Sequence, residues 1–118
     1  MHLTLNHQKL KVYSVSRTFV MECYKLTKHL PAEEKFGMIS QVRRAALSVH
    51  LNIAEGASRK SEAERKRYYE IARGSIIEIH AALDIAESLN YLNGHHLAIL
   101  GSSMVECFKI LSRMMDHN

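Results

Sequence analysis

The chain has no tryptophan, three phenylalanines, one proline and five glycines among its 118 residues. With so little glycine and proline and no biased stretch, neither a disordered segment nor a flexible linker is expected. Nowhere do about 18 apolar residues run unbroken, which excludes a transmembrane helix. No apolar run followed by a cleavage site opens the chain, so no signal peptide is read and a cytoplasmic location is expected. The two cysteines, Cys23 and Cys107, match no metal or redox spacing and read as buried thiols in a reducing compartment. Also missing are a glycine-rich phosphate loop, a nucleophile elbow and a zinc-ligand spacing. No cofactor, metal or small-molecule substrate is therefore expected, and the chain reads as non-enzymatic.

What is present fits one domain over residues 1–118, with 47% apolar and 24% charged residues. The formal net charge is +4, unevenly spread. Residues 1–30 hold five Lys/Arg against the single acid Glu22, and residues 58–73 hold six against three glutamates. Residues 78–118 reverse the sign, with five acids against Lys109 and Arg113. Such asymmetry is the pattern of a surface that meets polyanions, although solvated helix faces produce it too.

Apolar residues recur at three- and four-residue steps in four segments, about 8–30, 33–57, 61–90 and 95–116. In the first, Leu10, Val12, Phe19, Val20, Tyr24, Leu26 and Leu30 form a broad apolar face, and Pro31 ends the segment. The second places Phe36, Ile39, Val42, Ala46, Val49 and Ile53 on one stripe. A second apolar line, Leu47, Leu51 and Ala54, lies on another face and is the expected self-association surface, because a monomer should not leave it in water. Ser61-Glu-Ala-Glu64 is a capping box opening the third helix, whose expected core line is Tyr68, Ile71, Ala72, Ser75, Ile79, Ala82, Ile85, Ala86 and Leu89. Asn93-Gly94 marks a turn, and the fourth helix carries Leu97, Leu100, Met104, Cys107, Phe108, Leu111 and Met115. Short connections between amphipathic helices predict an all-α, antiparallel up-down-up-down four-helix bundle.

Polar residues interrupt this pattern in a regular way. Arg44, Ser48, Asn52 and Glu55 follow one another at steps of four, four and three, and Arg67, Gly74, Ser75 and Glu78 fall on a comparable line of the third helix. Arg43 or Arg44 with Glu55 and Glu78 is expected to form a buried charge network between helices two and three, with Asn52 and Ser75 in it. On that reading Glu78→Ala would cost about 3 kcal/mol. A ligand contact at the bundle end is the alternative use of these groups. No Glu is followed by His three residues on, so the ferritin-like metal pattern is missing. His95 and His96 are adjacent rather than one turn apart, and His50 reads as a packed or interface histidine.

The run Gln41-Val-Arg-Arg-Ala-Ala-Leu-Ser-Val-His-Leu-Asn-Ile-Ala-Glu-Gly56, together with Ser61, Glu64 and Tyr69-Glu-Ile-Ala-Arg-Gly-Ser-Ile-Ile-Glu78, resembles a known family. It is similar to the small bacterial four-helix-bundle proteins found as reading frames inside intervening sequences of 23S ribosomal RNA genes. The resemblance spans roughly Leu10 to Leu111, with Asn52-Ile-Ala-Glu-Gly56 its most specific piece. It implies a four-helix bundle, a homopentamer, and a distant link to the basic accessory protein of diversity-generating retroelements, which works with nucleic acid. It implies no catalytic residues. Two positions depart from the family pattern: His50 stands where proline is frequent, and His80 where an acid is common.

Two functions remain open. One is an oligomeric protein that binds RNA or DNA with weak sequence specificity. Its expected footprint is the basic turn Arg59, Lys60, Arg65 and Lys66, aided by Arg17, Lys25 and Lys28 of the first helix. The other is a protein-interaction or assembly scaffold with no direct nucleic-acid role. A steep fall of RNA affinity with salt separates the first from the second.

Overall fold

The computed structural model describes residues 5–116. Four helices account for most of them: α1 (Lys11–Thr27), α2 (Met38–Ser58), α3 (Glu62–Ser88) and α4 (Gly94–Asp116). Single turns of 3-10 helix at Asn6–Lys9 and Ala32–Glu34 precede α1 and α2. Each helix packs on its neighbours in sequence and α1 also packs on α4, so the four close a ring around one core. The all-α bundle read from the sequence is the fold found.

The helix ends follow local chemistry. Ser61 caps α3 by accepting a hydrogen bond from the Glu64 N–H at 3.1 Å. Asn93 does the same for α4, its side-chain oxygen accepting from the backbone N–H groups of His95 at 3.0 Å and His96 at 3.1 Å. Asn90 turns the chain between them with φ of 62°, a left-handed conformation that asparagine tolerates.

α2 starts later than its hydrophobic pattern implies. The Glu34 carboxylate accepts from the Met38 N–H at 3.1 Å and from the Tyr91 hydroxyl at 3.2 Å. Capping from outside the helix stops it at Met38, so Phe36 falls in the connection and is 90% exposed rather than in the core. The core line of α3 also differs from its expected position. Tyr69, Ala72, Ser75, Ile76, Ile79, Leu83 and Ala86 are buried, whereas Ile71, Ile85 and Leu89 are exposed and Tyr68 is half-buried. Both lines have helical spacing; packing against α4 as well as α2 selects the one centred between those neighbours. α4 buries Leu100, Met104, Cys107, Leu111 and Met115, with Leu97 and Phe108 packed at their edge. Cys23 and Cys107 are buried and unpaired, and burial pushes both thiols up to about 12, which leaves them unreactive near neutral pH.

α2 and α3 approach closely at Gly56. A Cβ placed there would stand 2.7 Å from Tyr69 Cε1 and 3.1 Å from Tyr68 Cβ. Gly56 is helical and its φ is negative, so what it supplies is room for the Tyr69 ring rather than backbone freedom. Gly74, in the middle of α3, has nothing within 4 Å of the same position. Gly56→Ala should therefore destabilise by about 1–3 kcal/mol, the usual cost of overpacking. Gly74→Ala should stabilise by up to about 1 kcal/mol through helix propensity. Urea unfolding of the two variants checks the pair, and shifts of the same sign would contradict it.

Candidate nucleic-acid interface at the basic end

The α2–α3 seam runs from polar pairs in its middle to a fixed turn at its end. Ser75 Oγ donates to Ser48 Oγ at 3.0 Å. The Asn52 amide donates to the Ser48 carbonyl at 2.8 Å and lies 3.1 Å from the Ser48 hydroxyl. Below them lies the Gly56–Tyr69 contact, and then the turn itself. Arg65 reaches back from α3 and donates one guanidinium nitrogen to the carbonyls of Arg59 at 3.0 Å and Lys60 at 2.7 Å. Those carbonyls lie just past the end of α2, where the chain turns toward α3. Arg59 is fixed too: it donates to Glu55 at 3.0 Å and to the Tyr68 hydroxyl at 2.9 Å, with its guanidinium 4.9 Å from the Tyr68 ring centroid.

These contacts divide the expected footprint. Arg59 and Arg65 spend much of their hydrogen-bonding capacity on the turn, while Lys60 and Lys66 stay exposed. Arg67 is exposed beside them, and among the described residues no carboxylate lies within 4.0 Å of Lys60, Lys66 or Arg67. Lys11 and Arg113 join this end across a groove that also involves Arg65 and Lys66, a grouping that sequence spacing did not reveal. Lys25 and Lys28 do not join it. They sit at the C-terminal end of α1, whereas the turn lies beside its N-terminal end, about 25 Å away at about 1.5 Å per residue. Lys25 instead pairs with Glu22 at 3.4 Å. Arg17 lies part-way along α1, near enough to His50 to disfavour its protonation.

The expected charge network between helices two and three does not form. Arg43 faces α1: it donates to Thr27 Oγ1 at 2.8 Å, and its guanidinium lies 4.8 Å from the Tyr24 ring centroid. Arg44 is exposed. Glu55 is taken by Arg59 one turn on, and Glu78 accepts from the Gln41 amide with both residues exposed. Only Asn52 and Ser75 of the expected set share the seam, through Ser48. Arg44 and Glu55 stand on the exposed side of α2, where Glu55 pairs with Arg59 one turn on instead of with a residue of α3. With no buried charge orphaned, Glu78→Ala loses its reason to cost 3 kcal/mol.

Leu47 and Leu51 are exposed, Leu51 at 56%, and Ala54 is half-buried beside them. Ile71 and Ile85 flank Glu78 at steps of seven on α3, and Glu78 reaches Gln41 of α2. The exposed apolar residues thus border the outside of the same α2–α3 seam. At the other end, the His29 and His96 rings lie 4.2 Å apart, but among the described residues no three His, Cys, Asp or Glu side chains could hold one metal ion. No helix among them is long and apolar enough to cross a membrane.

Comparison with known proteins points the same way as the residues. A family model described as 23S rRNA-intervening sequence protein matches residues 8–113. A solved structure from Bacteroides thetaiotaomicron, described as a protein of unknown function from the S23 ribosomal protein family, superposes with a TM-score of 0.80. It is 25% identical, and the alignment covers 88% of this chain and 97% of that one. No curated protein matches the chain.

His50 is the one titrating group of α2 tied into another helix. Ser16 Oγ donates to the Tyr13 carbonyl at 3.0 Å and has a single proton, so at 2.7 Å it accepts from His50 Nδ1–H. Ser16 is fully buried, which leaves this Ser–His contact without access to a substrate. The Tyr13 ring packs at a tilt on His50, with centroids 4.3 Å apart, and meets His7 edge-on at 4.7 Å. Burial first, then the nearby charges of His7 and Arg17, pull the His50 pKa below its usual 6.5. The unfolded chain therefore takes up a proton that the folded one resists. The stability this contributes is present above pH 6.5 and is lost as pH falls through the folded value. His50→Asn, which keeps a donor toward Ser16, should flatten the loss of stability between about pH 7 and pH 5. An unchanged pH profile of chemical unfolding would contradict this.

Proposed function

The chain belongs to the 23S rRNA-intervening sequence protein family, and from its basic end we propose that it is a non-enzymatic, cytoplasmic homo-oligomer that binds structured RNA or DNA. The observation that carries the reading is the α2–α3 turn. Its backbone is held by Arg65, and it displays Lys60, Lys66 and Arg67 to solvent with no carboxylate within 4.0 Å among the described residues. Phosphate recognition needs charge and reach and little else. Binding is weakly sequence-specific, because no helix offers a row of Arg, Asn and Gln fitted to base edges in a major groove.

Oligomerisation makes such a modest surface effective. Several copies of a +4 chain repeat the same patch around a symmetric assembly, which adds avidity without new contacts. The exposed Leu47 and Leu51, with Ile71 and Ile85 alongside, support association through the α2–α3 face. The pentamer is the number the family resemblance favours, and closed rings are the usual outcome for homo-oligomers. The alternative, a scaffold that binds only proteins, rests on the same apolar face and differs in what the basic end touches.

Two measurements test this. Light scattering at micromolar concentration should give a mass several times that of the chain, lowered by Leu51→Glu; 13.5 kDa for the parent would contradict the assembly. Titration of a structured RNA at several salt concentrations should show steeply salt-dependent binding. The double variant Lys60→Glu/Arg67→Glu should weaken it about tenfold for unrelated sequences, and lower the salt slope by about one per lost phosphate contact. If the parent binds neither RNA nor DNA at low salt, the scaffold reading takes over.

A further inference from the structure

Among the described residues, the bundle is open at its basic end. Where the start of α3 meets the ends of α2 and α4, the core opens into a groove of about 1090 Å³. Leu10, Ile110, Met114, Met115 and Tyr69 form its apolar surface. Lys11, Arg65, Lys66 and Arg113 stand around it, and Glu62 is the one acid among its described lining residues. Arg65 is occupied by the turn carbonyls, and Lys11 lies 3.9 Å from Glu106 with both side chains well exposed. Among the described residues Lys66 and Arg113 have no carboxylate within 4.0 Å.

Three properties narrow the occupant. The cations call for acidic groups at the edges. The interior is aliphatic and rich in methionine, a side chain that adapts to varied apolar partners. Tyr69 is nearly buried with its ring against Gly56, so no aromatic face is open for a nucleic-acid base to stack on. The groove is also open rather than enclosing, unlike the clefts that bury most of a small ligand's surface. An amphipathic helix that lays an apolar stripe into the groove, with Asp or Glu flanking the stripe, meets all three conditions. We propose that this groove is a docking site for an acidic amphipathic helix of a partner protein, a role that shares Lys66 with the nucleic-acid reading but rests on the groove rather than on the turn.

The probe is a synthetic helical peptide of about 16 residues with leucines at three- and four-residue spacing and glutamates between them, compared with a twin carrying lysines. Fluorescence anisotropy with the full chain should show the glutamate peptide binding at least about tenfold more tightly than its twin. Ala63→Trp, at an exposed position lining the groove, should lower that affinity about tenfold while leaving helix content and melting temperature as in the parent. Lys66→Glu/Arg113→Glu should invert the preference toward the lysine peptide. Equal binding of both peptides, no binding at millimolar concentration, or indifference to Ala63→Trp would overturn the proposal. So would an unstructured oligouridylate whose binding Ala63→Trp abolishes while neither peptide binds, since the groove would then be a nucleotide site. Loss of RNA binding in Lys60→Glu/Arg67→Glu, whose positions do not line the groove, leaves the proposal standing.

Discussion

The missing side chain of Gly56 is what the basic end of this bundle depends on. One glycine lets the Tyr69 ring lie against α2, and from that contact the last turn of α2 and the first turns of α3 are fixed relative to each other. Close packing leaves no slack at such a point: a single methyl group must displace a nearly buried aromatic ring. Above it, Ser48, Asn52 and Ser75 satisfy one another; below it, Arg59 and Arg65 tie the turn to both helices. The segment Asn52-Ile-Ala-Glu-Gly56 is thus a packing device, and its polar members serve the seam and the turn rather than a reaction.

A fixed turn changes what its charges can do. Lysines on a mobile loop lose conformational freedom when they bind; those on an ordered turn lose less, and more of their attraction to phosphate or carboxylate shows as affinity. The structure separates cations that hold the turn, Arg59 and Arg65, from those that face outward, Lys60, Lys66, Arg67 and Arg113. The acids Glu33, Glu34, Asp84 and Glu87 lie toward the other end of the bundle beside Lys25 and Lys28, so the denser unopposed positive charge is at the α2–α3 turn.

Much of this architecture was legible in the sequence because it rests on local rules. Helical periodicity gave the four helices, Ser61 marked the start of α3, Asn93-Gly94 marked the turn before α4, and the line through Leu47 and Leu51 flagged an unburied face. What could not be read depends on which partner a side chain meets. Arg43 has the same spacing whether it faces α3 or α1, and only the packed bundle shows it on Thr27 and Tyr24. Phe36 looked like core because nothing local shows that Glu34 caps α2 from outside. Two lines on α3 had helical spacing, and contact with α4 chose between them. Lys25 and Lys28 are a different kind of miss: an antiparallel bundle already places the C-terminal end of α1 away from the α2–α3 turn, so charge density alone was the wrong guide.

The claim that the α2–α3 turn belongs to the core, and is not a loop attached to it, is tested most directly by native-state hydrogen exchange. The Arg59 amide donates to Gly56 and the Arg65 amide to Ser61, so both are hydrogen-bonded at the turn. Protection of these two amides within about 1–2 kcal/mol of the most protected core amides, such as those of Ile53 and Ala72, is the expected result. Exchange of both near the unprotected rate, with Ile53 and Ala72 still fully protected, would show the turn opening on its own and would contradict the account.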